Sequence, residues 1–149
     1  VPCMATNIFD KLRAGVTTRS AEETRLLATE LGAALPAGSV LALHGDLGVG
    51  KTTFVQGLAC GLGVSGGVTS PTFNIFTLHR GRTNLLHVDA YRLESPREIE
   101  DLLIEDFMEP PWCLAVEWPG KIAPWLPPGA LHLDLSIGAG REHHVRLRA

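Results

Sequence analysis

The sequence predicts an α/β fold of three layers around a mixed, mainly parallel central sheet. Three observations predict it. Apolar runs of strand length alternate with segments of helical spacing through residue 116. One of those runs passes through a glycine-rich turn directly into a helical segment. The remainder reads as strands alone, so strand directions are mixed.

The elements follow in order. Residues 1–3 carry no function in this reading, and residues 1–10 read as a loosely attached N-terminal segment. Val16, Thr17 and Thr18 form a short edge strand. Ser20 and Glu23 have capping-box spacing, and Leu26, Leu27, Leu31, Ala34 and Leu35 then mark one face of a helix that Pro36 and Gly38 end. Val40–His44 is a compact apolar run, as in a strand buried on both faces. Helical spacing resumes over residues 52–62 through Phe54, Val55, Leu58, Ala59 and Leu62. Gly61, Gly63, Gly66 and Gly67 predict a loose connection. Phe73–Leu78 and Asn84–Val88 read as two strands joined at Arg80-Gly81-Arg82. Ser95 followed by Pro96 reads as a capped helix start. Trp112–Val116 is another buried strand, and Leu131–Ser136 with His143–Arg148 reads as a closing hairpin.

Composition narrows the function. At 149 residues the chain is one domain long, since domains most often run to roughly 100–150 residues. A hydrophobic fraction of 45% and a mean hydropathy of +0.13 supply a core and exclude disorder. A net charge of −3 argues against unaided binding of nucleic acid, because neutralising phosphates needs a basic surface. No apolar stretch approaches the ~20 residues that span a bilayer, and no charged-then-apolar leader opens the chain. Cys3, Cys60 and Cys113 are odd in number and lack a C-x-x-C pair, which predicts reduced thiols and a cytoplasmic location.

Gly45-Asp46-Leu47-Gly48-Val49-Gly50-Lys51-Thr52 matches G-x-x-x-x-G-K-[ST] throughout. Glycines let successive backbone N–H groups turn into one concavity that accepts phosphate oxygens. The helix that follows adds its free amides and positive dipole end. Lys51 supplies a mobile charge for the β- and γ-phosphates, and the Thr52 hydroxyl can complete a Mg²⁺ octahedron. A chance match in a chain of this length is on the order of 1%, and the strand before and helix after are both present. The fold class is therefore that of P-loop NTPases. Two further strands end in carboxylates, at Asp89 and at Glu117. An apolar strand ending in Asp has the form of a Walker-B element, although a surface Asp capping a strand end has it too. Both carboxylates fall at the strand ends where ligands bind in open α/β sheets. Sequence leaves open which would hold metal and which would activate water. His143 and His144 are adjacent in a strand, so they point to opposite faces and do not share a metal.

Gly45–Thr53 (GDLGVGKTT), Ser70–Phe73 (SPTF), His87–Leu93 (HVDAYRL) and Val116–Pro119 (VEWP) together resemble the bacterial TsaE (YjeE) family, in order and spacing over nearly the whole chain. The resemblance implies a small P-loop ATPase that works with TsaD and TsaB to make threonylcarbamoyladenosine beside the anticodon of tRNA. It implies that Gly45 to Thr53 binds ATP phosphates, with Lys51, Asp89 and Glu117 catalytic and Thr52 and Glu117 on Mg²⁺. Trp118 would lie by the nucleotide, its other reading being a core-edge tryptophan. Ser70 and Thr72 would sit on a switch-like loop freed by the glycines at 61–67, and Tyr91 and Arg92 would meet a partner or phosphate. Val49 departs from the smaller residue common in the family, which should alter packing more than binding. The tRNA would be met only through the complex. The alternatives are a small-molecule or nucleoside kinase on the same loop, or an ATP-holding module without turnover. No Asn-Lys-x-Asp sequence speaks for a GTPase.

Overall fold

The computed structural model describes residues 7–46, 48–65 and 75–148. Ser70, Pro71, Thr72, Phe73 and Leu47 lie outside the described residues. Among the described residues, seven strands form one sheet: β1 (Val16–Thr18), β2 (Val40–His44), β3 (Phe76–His79), β4 (Asn84–Asp89), β5 (Trp112–Glu117), β6 (Leu131–Ile137) and β7 (His143–Leu147). Their order is β1-β7-β6-β2-β5-β4-β3. The four central strands β6, β2, β5 and β4 pair in parallel, and the outer pairs β6–β7, β7–β1 and β4–β3 are antiparallel. The mixed sheet is as the sequence predicts.

Side chains alternate across this sheet. Leu41, Leu43, Leu85, Cys113 and Ala115 face one way, into a core completed by α1 (Ile8–Ala14), α2 (Ala21–Ala34) and α3 (Lys51–Gly61). Val40, Leu86, Val88, Leu114 and Val116 face the other, against α4 (Pro96–Asp101) and two 3₁₀ helices, Ile104–Phe107 and Pro119–Trp125. No helix of the described residues is long and apolar enough to cross a membrane. Cys60 is exposed, whereas burial pushes the Cys113 thiol up to about 12, so it stays protonated.

Four expectations need correction. Residues 8–10 are not loosely attached: they open α1, capped by the Asn7 side chain, and Ile8 and Leu12 are buried. The buried face of α2 is Thr24, Leu27, Ala28, Leu31 and Gly32, with Leu35 packed at its end; Leu26 is 63% exposed and Ala34 is exposed. Leu26 lies just beside that stripe, on the solvent side of Leu27. Ser95 occupies the N-cap of α4 but makes no side-chain capping bond. Gly61 loosens nothing. It closes α3, is buried, and meets Gly32 and Ala33 of α2 so tightly that a Cβ there would strike backbone.

Candidate nucleotide site

The site lies where β2, β4 and β5 deliver their C-terminal ends. The P-loop leaves β2 at Gly45, whose φ of +147° is open to glycine; a Cβ there would stand 2.5 Å from the Leu135 carbonyl oxygen of β6. Gly50 is the left-handed N-cap of α3. Side chains cap α1 and α2, through Asn7 and Ser20, but among the described residues none caps α3. The first-turn amides of α3 are therefore left for an anion.

A cavity of about 350 Å³ is lined by Gly48, Gly50, Lys51, Thr52, Thr53, Asp89, Glu117 and Trp118. Sheet register explains the meeting of the carboxylates: Asp89 of β4 stands directly across from Glu117 of β5. Asp89 Oδ1 accepts from the Tyr91 N–H at 3.0 Å, and Glu117 Oε2 lies 2.6 Å from His87 Nε2. Lys51 is buried, donates to the Gly45 carbonyl at 2.6 Å and sits 3.5 Å from the centre of the Trp118 ring. Burial pushes its ammonium below the usual lysine range, while the charges of Glu117, Asp89 and Asp46 push the other way.

Trp118 is a core-edge tryptophan that also borders this cavity. Its ring packs against the second core and Tyr91, 5.0 Å between ring centres. Its left-handed backbone, φ 57°, turns the chain sharply after Glu117. Arg92 is exposed. Val49 is buried in the first core, so its extra bulk is spent on packing.

Two residues without a role in the sequence reading stand at the site. His143 Nδ1 donates to the Val49 carbonyl at 3.1 Å and so ties β7 to the P-loop. His144, pointing the other way, meets Thr17 Oγ1 at 2.9 Å. His87 lies two positions before Asp89 and hence on the same face, which strand alternation could have disclosed. A second cavity of about 770 Å³ touches the loop at Gly45, Asp46 and Val49 and shares Trp118. A third, of about 500 Å³, is bordered by Arg19, Ser20, Gly48 and Arg141.

The donor set fits a phosphate–metal group. A bare polyphosphate entering beside Asp89 and Glu117 would meet like charge, which a divalent cation relieves. A hydroxyl and a carboxylate suit Mg²⁺, which keeps several waters and takes few protein ligands.

Residues 18–145 match the family model described as threonylcarbamoyl adenosine biosynthesis protein TsaE. The TsaE protein of Treponema pallidum is 38% identical over 128 residues, covering 86% of this chain and 95% of that protein. That of Bacillus subtilis is 38% identical over 133 residues, covering 89% and 83%. The crystal structure of Bacillus subtilis YdiB superposes with a TM-score of 0.71 at 32% identity, covering 88% of this chain and 81% of that one. The chain therefore belongs to the TsaE family, whose role is in tRNA threonylcarbamoyladenosine biosynthesis.

Proposed function

We propose that this chain binds MgATP at the P-loop, hydrolyses it slowly, and docks on a TsaB–TsaD assembly according to its nucleotide state. The observation that carries the reading is a cavity that gathers Lys51, Thr52, Asp89 and Glu117 at the uncapped start of α3. The P-loop amides hold the phosphates, and Lys51 exchanges the Gly45 carbonyl and the Trp118 face for phosphate oxygens. Thr52 and Glu117 hold Mg²⁺. When bound, that ion offsets phosphate charge and orients the transferring group. Asp89 orients the attacking water.

Slow turnover agrees with the hydrogen bonds. One oxygen of Asp89 is already committed to the Tyr91 amide and one of Glu117 to His87, so each carboxylate has a single oxygen left for metal or water among the described contacts. Hydrolysis depends on complete positioning of metal, water and charge, which a partner can finish. The net charge of −3 leaves the tRNA to that partner.

The test is recovery of TsaB and TsaD on immobilised protein with and without ATP, followed by assay of tRNA modification. Retention that depends on ATP and is lost in Lys51→Ala is expected. Recovery of neither partner under any nucleotide condition would overturn the docking role.

A further inference from the structure

His87 is fully buried on the sheet face that carries Asp89 and Glu117. Opposite it on β5 stands Ala115, and on β3 Thr77, so the imidazole has small neighbours across both strand pairs. Its Nε2 lies 2.6 Å from Glu117 Oε2. Its Nδ1 is buried and, among the described residues, has no hydrogen-bond partner. Those two facts fix the tautomer. A proton on Nδ1 would be an unsatisfied buried donor and would leave Nε2 facing a carboxylate with nothing to donate. The proton therefore belongs on Nε2. Among the described residues no hydrogen bond engages the other oxygen of Glu117, and that residue lines the phosphate-side cavity.

We propose that His87 is a positioning residue for metal binding: by donating from Nε2 it fixes one oxygen of Glu117 and turns the other toward the metal. The inference rests on the reading of Glu117 as a Mg²⁺ ligand. It follows the general rule that a ligating carboxylate is itself hydrogen-bonded, and that removing such an outer partner weakens metal binding about 10–100-fold.

Mn²⁺ binding in the presence of ADP, followed by electron paramagnetic resonance, tests it with His87→Gln and His87→Asn. The Gln amide reaches the place of Nε2, whereas the Asn amide reaches only that of Nδ1. The expected result is Mn²⁺ affinity within about 3-fold of wild type for H87Q and at least about 10-fold weaker for H87N. Metal-free ADP binding should be equal in all three. A purely structural histidine would instead make metal affinity follow thermal stability in both variants. Equal metal affinity in H87N and wild type, or equal loss in both variants, would overturn the proposal.

Long-range ¹H–¹⁵N correlation on the wild-type protein gives an independent arm: Nε2 protonated and Nδ1 bare is expected, and the opposite tautomer overturns the proposal even if neither variant folds. Failure of the wild type to bind Mn²⁺ with ADP would sink the site reading itself and the proposal with it. Intact wild-type binding with indifferent variants would sink His87 alone.

Discussion

The two faces of the sheet are covered by opposite strategies. On one, α2 and α3 are continuous helices pressed together at Gly32, Gly57 and Gly61, where a single added methyl group would collide with backbone. On the other, short helices and turns bend through two bulky residues in left-handed conformation, Leu103 at φ 50° and Trp118 at φ 57°. The first face gives α3 a fixed seat, and with it the P-loop. The second carries the strained turn that lays Trp118 beside Lys51. Stiffness is thus built under the phosphate loop and strain beside it.

The largest expected effect comes from adding a methyl group where the helices touch. An exposed helical glycine usually gains stability when replaced by alanine, by about 1 kcal/mol. Gly57→Ala should instead lose about 3 kcal/mol in urea unfolding, because its Cβ would run into the Arg25 carbonyl and stand 2.8 Å from the Ala28 Cβ. An unchanged midpoint would show that the helices can part, and the contrast between the faces would fail.

The reverse change belongs on the other face. Leu103→Gly removes a Cβ from left-handed backbone at a position 58% exposed, so it should raise stability by about 0.5 kcal/mol in the same assay. A loss of 1 kcal/mol or so would mean that the turn is held by packing and carries no backbone strain.

The smallest effect lies away from the helices that cover either face. Asp134 and Arg148 form a bidentate pair across the β6–β7 hairpin, at 2.8 and 2.9 Å, and the Arg148 hydrogen bonds hold the carboxyl below its usual range. A carboxyl whose folded value is depressed contributes above its unfolded value and loses that contribution as pH falls through the folded one. Both side chains are about half exposed, so Asp134→Asn should cost well under about 1 kcal/mol at pH 7. Unfolding curves of the two proteins should converge below about pH 4. A gap that widens in acid would contradict the assignment.

What the sequence made legible was local. The β2–P-loop–α3 unit is one continuous stretch in which apolar run, glycines, lysine and helical spacing agree, and its described residues fold as written. The strands ending in Asp89 and Glu117 were equally plain, because each is an apolar run closed by a charge. Their meeting was less so, since it depends on β4 and β5 being parallel neighbours in matching register. The His87–Glu117 contact spans 30 residues and has no periodic signal of its own beyond the two-residue step to Asp89. Helix α1 was missed because seven residues with two buried positions show too little periodicity, although Asn7 is an ordinary N-cap. Gly61 misled because a glycine that permits close helix packing and one that loosens a loop are the same letter.

Calorimetric titration of the wild-type protein and Lys51→Ala with ATP and Mg²⁺ tests the central claim most directly. Saturable binding by the wild type, weakened at least about 10-fold in Lys51→Ala, is the predicted result, since a hydrogen bond to a charged group contributes about 1.5–3 kcal/mol. No heat of binding in the wild type, or equal affinity in both proteins, would contradict it.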